Sequence, residues 1–215
     1  MNTSYDRIAG QSVERLAALS DGIFGVAMTL LLLDLHVPAR ELIHGEADLR
    51  QALLALAPQL VVYLLSFITL GIFWVGQQTH LNHLERSDRH LTWMHLAFLF
   101  VVTLMPFSTR LLVDFMEYRA ALLVYWGNIF LFGATLYASW GYATRASLNK
   151  DDMPETTKAA ICHRIIIGQG LYAFGALLCI FSTYLSIAVI VLVQIYFVLS
   201  PRTWWWKSTA AEDQR

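Results

Sequence analysis

Six apolar stretches, separated by short polar segments, dominate the pattern of hydrophobic and polar positions along this chain of 215 residues. Most of them are close to the ~20 residues that a helix needs to cross the hydrocarbon core of a bilayer. We therefore predict an all-α integral membrane protein with six transmembrane helices. Their approximate ranges are 15–37, 53–77, 91–111, 120–144, 165–183 and 185–200.

Charged residues fall mainly between these stretches. The first stretch ends at Pro38 and is followed by an acidic loop over about 39–49, and the most hydrophilic connection is 149–158. The fifth and sixth predicted helices have almost no linker, so a tight turn must join them. The predicted regions are a cytoplasmic N-terminus 1–14, a six-helix transmembrane domain 15–200 and a cytoplasmic tail 201–215.

The composition agrees with a membrane protein. Hydrophobic residues make up 57% of the chain, charged residues make up 14%, and the mean hydropathy is +0.51. A soluble domain would have difficulty burying this much apolar surface. The net charge of −1 and the lack of a basic run argue against a nucleic-acid partner, so the bilayer is the expected environment.

Lysine and arginine are distributed unequally between the two sides of the predicted helices. Eleven lie on one side and four on the other, and the positive-inside rule assigns the richer side to the cytoplasm. Both termini then lie in the cytoplasm, and the protein is predicted to be a multi-pass protein of the cell membrane. The four basic residues on the outer side are Arg40, Arg50, Arg110 and Arg119.

The first predicted helix carries polar residues in its inner third, at Arg15, Ser20 and Asp21. Ionisable groups at this depth are costly and usually face protein or water. Arg15 and Asp21 lie six positions apart, about 240° around a helix, so each needs partners on neighbouring helices. We interpret them as members of a buried structural network, to which His95 of the third predicted helix also belongs.

The segment Arg15-x-x-x-Leu19-Ser20-Asp21 resembles the first-helix signature Arg-x-x-x-Phe-Ser-Asp of the endosomal/lysosomal potassium channel family, the transmembrane protein 175 type, in its single-repeat prokaryotic form. Leu19 occupies the position where the family usually has Phe. Further matching residues lie in the second and third predicted helices. They are Tyr63, Ser66, Phe67 and Trp74, and the run Leu104-Met105-Pro106-Phe107-Ser108-Thr109.

The resemblance implies a homotetramer of six-helix subunits whose first helices line a central potassium-conducting pore. No re-entrant loop filter is expected, and the chain contains no Thr-Val-Gly-Tyr-Gly segment. In the family the apolar constriction begins five residues after the motif Asp, which corresponds to Val26 here. It continues at Leu30 and Leu33, with Thr29 as the position for ion selectivity.

An apolar ring at these positions can close a pore by dewetting, because an ion there loses water without gaining oxygen ligands. Four Thr29 hydroxyls can hold a hydrated potassium ion and give modest selectivity over sodium. Without the upstream motif, Val26, Leu30 and Leu33 would be interpreted as ordinary lipid-facing or core residues. Asp34 is either an outer-vestibule residue that attracts cations or an ordinary interface residue.

The second predicted helix ends with His80-x-x-His83. No cysteine or carboxylate completes a metal-binding set at convincing spacing, so we expect no metal and no cofactor, with potassium only as the permeant ion. A hydrogen-bonded loop that contacts Arg15 or Asp21 is favoured. The predicted structural network is Arg15, Ser20, Asp21, Trp74 and His80.

The main alternative function is a secondary transporter of a cation or small solute. Such proteins contain inverted repeats and broken helices near mid-membrane. The nearest candidates for interruptions are Gly127-Asn128 and Gly168-Gln169-Gly170, and they do not recur at matching places. An enzyme is not expected, because the chain has no nucleophile elbow and no His-Glu-x-x-His helix.

Overall fold

The computed structural model describes residues 12–33, 35–150 and 154–199. Within this part the chain is helical, and the extended pairing consists of an isolated bridge between Leu84 and Asn149. The helices are α1 Val13–Leu33, α2 Glu46–Ala55, α3 Ala57–Asn82, α4 Arg89–Thr103, α5 Met105–Asp114, α6 Arg119–Arg145, α7 Glu155–Leu177 and α8 Thr183–Leu199. Short 3₁₀ turns lie at Arg40–Leu42 and Leu178–Ile180.

Five helical segments of the described chain are long and apolar enough to cross a membrane. They are α1, α3, α4 together with α5, α6, and α7 together with the 3₁₀ turn that follows it. α8 is also apolar but has only 17 residues. The predicted all-α membrane class is confirmed, whereas helix length alone does not establish a sixth crossing. The predicted tail 201–215 and most of the predicted N-terminus 1–14 lie outside the described residues.

The predicted acidic loop is shorter than expected because part of it is helical. α2 begins at Glu46, and Glu46 and Asp48 lie in its first turn, where carboxylates stabilise a helix. Leu56 alone separates α2 from α3, and Pro58 lies in the first turn of α3. Proline is tolerated there because its missing N–H would have no intrahelical partner.

The third predicted helix is divided at Leu104, just before Pro106, into α4 and α5. Proline cannot donate the backbone hydrogen bond that a continuous helix requires. Asn128 of α6 satisfies the freed groups when its amide is assigned the orientation that fits its neighbours: its Oδ1 then accepts from Met105 N at 3.2 Å, and its Nδ2 donates to Val101 O at 3.2 Å. α6 itself runs unbroken through Gly127-Asn128, and α7 runs unbroken through 168–170, so neither candidate interruption is a break in a helix.

Aromatic side chains fill the centre of the bundle. Phe24 of α1 contacts Phe98 of α4, Phe98 contacts Phe132 of α6, and Phe132 stacks on Phe73 of α3 with ring centroids 4.6 Å apart. α3 and α4 make the most extensive contacts with α1, and α4 packs extensively on α6. The core therefore holds one face of α1 against α3 and α4.

A second, smaller hydrophobic cluster closes one end of the bundle. It joins the start of α1, the end of α3, the start of α4 and the end of α6. Backbone bonds link the loops there, from Glu85 N to Leu148 O and from Lys150 N to His83 O, both at 3.0 Å. We call this the base end. The members of the cluster are Leu16, Leu81, Leu84, Leu91, Ala143 and Leu148.

Candidate functional site

α1 has two chemically different faces. Its buried positions are Leu16, Ser20, Phe24, Ala27 and Leu31. On the opposite side, Val26 is 58% exposed, Leu30 is 42% exposed and Leu33 is 74% exposed, and Thr29 is exposed as well. At 100° per residue these four positions fall within an arc of about 100°. We call them the α1 stripe. It is a mostly apolar surface that the subunit's own helices leave uncovered.

The space beside this stripe is open. A Cβ atom added at Gly22 or Gly25 would meet nothing within 4 Å. Small residues at such positions allow another helix to approach closely in a membrane. The α1 stripe is therefore accessible to a second helix from outside the subunit.

Thr29 is the polar member of the α1 stripe. Its hydroxyl lies 2.8 Å from Val26 O and 3.1 Å from Gly25 O, both on its own helix. The hydroxyl hydrogen is thus directed to the helix backbone, and both lone pairs of the exposed oxygen are left to accept. An oxygen in this orientation can accept a hydrogen bond from water or contact a cation.

Asp21 connects α1 to α3. Its Oδ1 accepts a hydrogen bond from Trp74 Nε1 and another from Gln78 Nε2, each at 2.8 Å. Trp74 and Gln78 are four residues apart on α3, so they lie on the same helical face. Two donors from one face fix the carboxylate in position.

Ser20 is fully buried and connects α1 to both α3 and α4. Its Oγ donates to Leu16 O at 2.8 Å and accepts from Gln77 Nε2 at 2.8 Å. It also lies 2.7 Å from His95 Nε2. All three bonds form together when His95 carries its ring proton on Nε2, since a hydroxyl has one hydrogen to donate.

The other predicted network residues lie elsewhere. The Arg15 side chain is exposed and makes no hydrogen bond or ion pair with the described residues. His80 is buried against Trp140, with ring centroids 4.7 Å apart, and does not reach Asp21. Asp34, the predicted vestibule residue, lies outside the described residues.

Sequence reasoning did not assign a role to Gln77 and Gln78. Two adjacent amides within the apolar helix α3 are a detectable signal, because polar side chains in a membrane span need partners. Gln77 bonds to Ser20, and Gln78 bonds to Asp21. This choice of partners depends on the position of α1 and could not be derived from the sequence pattern.

A separate uncharged polar cluster lies deeper in the bundle. Thr109 donates to Ser66 at 2.8 Å, and Ser66 donates to Tyr125 OH at 3.2 Å. Gln194 of α8 donates to Thr69 of α3. These bonds connect α3, α5, α6 and α8. The cluster therefore holds α8 on the bundle and does not face the α1 stripe.

Comparison with known proteins places this arrangement in a family. The family described as endosomal/lysosomal potassium channel TMEM175 matches residues 15–106 of this chain. This range includes Ser20 and Asp21, which attach α1 to its neighbours, and the helix break before Pro106. A protein of Chamaesiphon minutus named a potassium channel is 31% identical over 191 residues, covering 86% of this chain and 93% of the relative. The chain belongs to the TMEM175 family.

Two further comparisons agree with membership of the TMEM175 family. A Streptomyces collinus protein, also named a potassium channel, is 32% identical over 190 residues, covering 85% of this chain and 90% of that protein. The crystal structure of a lysosomal potassium-selective channel TMEM175 homolog from Chamaesiphon minutus superposes with a TM-score of 0.74 at 28% identity. The superposed part covers 87% of this chain and 97% of the chain in that crystal structure. The family resemblance is confirmed, and the TMEM175 family is one of ion channels rather than enzymes.

Proposed function

We propose that this TMEM175 family member is a homotetrameric potassium channel of the cell membrane, in which α1 from each of four six-helix subunits lines the pore. The observation that carries the proposal is the exposure of Val26, Leu30 and Leu33 on a helix whose opposite face is fully buried. Family membership supplies the functional class.

The anchoring of α1 supports this arrangement. Ser20 and Asp21 attach α1 to α3 and α4, and this attachment sets the rotation of the helix about its axis. With that rotation, the α1 stripe points away from the subunit. Four copies around an axis would stack the aliphatic side chains into rings that close by dewetting.

Thr29 is the proposed selectivity residue. Because its hydroxyl hydrogen is bonded to its own helix, four copies would present oxygen lone pairs to the axis. Such a ring favours a cation that keeps part of its hydration shell, so we expect modest preference for potassium over sodium. Asp34 follows Leu33 directly in the sequence, and we propose it as a residue of the outer vestibule.

The proposed orientation places the base end in the cytoplasm. Arg86, Arg89, Arg145 and Lys150 lie in or beside its loops, whereas Arg119 lies at the other end and donates to Ile180 O at 3.0 Å. This distribution follows the positive-inside rule. A transporter is less well supported, since α6 and α7 run unbroken through both candidate interruptions.

Flux from liposomes tests the channel proposal. Purified protein is reconstituted with a potassium gradient, and flux is started with a proton ionophore and compared with sodium, proton and large-cation gradients. We expect fast, passive flux that favours potassium. Saturable counter-transport would support a carrier instead.

Substitutions in the α1 stripe test the pore assignment. Val26→Ala and Leu30→Ala enlarge the proposed constriction, so basal potassium flux should rise and selectivity should fall. Thr29→Val, which keeps the volume and removes the hydroxyl, should lower the potassium-to-sodium ratio. Thr103→Val is the matched control, because the Thr103 hydroxyl also bonds only to its own helix, on α4. Unchanged currents in all three α1 variants would reject the assignment.

A further inference from the structure

A small cavity lies at the base end, between α1, α3, α4 and α6. Its volume is about 20 Å³, which is sufficient for one water molecule. The wall is mainly aliphatic and aromatic. Its polar side chains, apart from the Trp140 indole, are Gln77, His80, His95 and Ser139.

Two buried polar atoms on this wall have no protein partner. Gln77 Oε1 and His80 Nδ1 form no hydrogen bond with any described residue. The two residues are only 1% and 7% exposed, so bulk water does not satisfy them. Turning the Gln77 amide over would not remove the need for a partner, because the amide nitrogen, which now donates to Ser20, would then occupy the unpartnered position.

Both atoms belong to the same face of α3. Gln77 and His80 are three residues apart, so their Cβ atoms are neighbours about 5–6 Å apart. One water molecule can join polar atoms of two such neighbouring side chains, since each of its hydrogen bonds spans about 2.7–3.2 Å. Nearly all buried polar groups in native proteins find a partner, and buried water is the usual one where protein groups do not reach.

We propose that this cavity binds one internal water molecule between Gln77 Oε1 and His80 Nδ1. The water donates to the amide oxygen and pairs with the imidazole nitrogen in either tautomer, because it has two donors and two acceptors. A metal ion fits less well, as the described wall residues include no carboxylate and no cysteine.

The water completes a chain of hydrogen bonds from Ser20 of α1 through Gln77 to His80, whose ring packs against Trp140 of α6. The hydrogen bonds that attach Ser20 of α1 to α3 thereby continue to His80 at the base end of the bundle. This inference concerns the fold of one subunit and does not depend on the proposed channel activity.

A structure of the full-length protein in lipid nanodiscs, at a resolution that resolves ordered water, tests the proposal directly. We expect a single density peak about 2.7–3.2 Å from both Gln77 Oε1 and His80 Nδ1. A cavity without density, or a direct bond between Gln77 and His80, would overturn it.

Filling the cavity provides a second test. Ala143→Val adds two methyl groups at the wall and displaces the water, so the apparent melting temperature should fall. The same substitution in a His80→Phe background, which keeps the ring on Trp140 and removes its nitrogens, should lower the melting temperature by less than half as much. Equal losses in both backgrounds, or a gain from Ala143→Val alone, would contradict a bound water.

Discussion

Ser20 and Asp21 are adjacent in the sequence, yet they bond to different neighbours. Ser20 points into the bundle toward Gln77 and His95, and Asp21 reaches Trp74 and Gln78 on the α3 surface. Consecutive residues on a helix point about 100° apart, so the two side chains bond to α3 from different directions. The polar character of both residues could be recognised from the sequence, but their partners could not.

Ser20→Ala removes the acceptor for Gln77 Nε2 and the partner of His95 Nε2 in a buried site. We expect the free energy of unfolding to fall by about 1–2 kcal/mol, since two buried groups lose their partner. Unfolding by SDS in mixed micelles measures this change.

The matched control is Ser139→Ala on α6. Its hydroxyl bonds only to Leu136 O of its own helix, so the same chemical change should have a smaller effect. Equal losses for the two variants would show that the Ser20 contacts contribute nothing specific.

At the level of helices, interruptions and close contacts determine how the elements fit together. The sequence predicted one continuous third helix over 91–111, and the structure divides it at Leu104, two residues before Pro106. Asn128 lies on a different helix and bonds to both sides of this break. In a membrane, freed backbone groups must be satisfied by protein, so α6 stabilises the break between α4 and α5.

Asn128→Leu leaves Met105 N without its acceptor, and we expect a loss of about 1–3 kcal/mol of unfolding free energy. In a Pro106→Ala background the helix can continue through this point and Met105 N can bond to Val101 O. The loss from Asn128→Leu should then be smaller. A double-mutant cycle measures the coupling, and simple additivity would refute the proposed role of Asn128.

Gly133 marks the closest approach of α6 and α7. A Cβ atom there would overlap Gln169, whose Nε2 donates to Ile129 O at 3.3 Å. Gly133→Ala should therefore force Gln169 out of place and lower the apparent melting temperature. Gly133→Ala combined with Gln169→Ala should recover part of the loss.

Gly141→Ala on the same helix is the control for this prediction. A Cβ atom there meets nothing within 4 Å, and alanine favours a helix more than glycine does. We expect no loss of stability. If Gly133→Ala is equally harmless, the two helices do not depend on this close contact.

At the scale of the whole molecule, the subunit is well packed on one side of α1 and open on the other. Phe24 and Leu31 lie in the core, whereas Val26 and Leu33 remain exposed. In the proposed tetramer, copies of the same chain cover this exposed face of α1. Assembly is the property that the proposed pore requires most directly.

Gly25→Leu tests whether α1 lies at the assembly axis. A Cβ atom at Gly25 meets nothing within 4 Å in the subunit and the position is exposed, so we expect the helical content not to change. In a tetramer the leucine would collide with a neighbouring α1, and the tetramer fraction should decrease.

Native mass spectrometry and circular dichroism measure these two properties. Gly141→Leu is the control, because position 141 is also open within the subunit but lies on α6. A normal tetramer fraction for Gly25→Leu would argue against α1 at the axis.

The apolar stretches, the helical class and the motif at Arg15 to Asp21 were determined by the sequence itself. Bilayer thickness sets the length of a spanning helix, and hydropathy is a property of consecutive residues, so both can be evaluated along the chain without knowing the fold. The rotation of α1, the pairing of Asn128 with the break at Leu104 and the contact of His80 with Trp140 were decided only by the tertiary structure. Each of these depends on residues far apart in the chain, which come together only when helices pack.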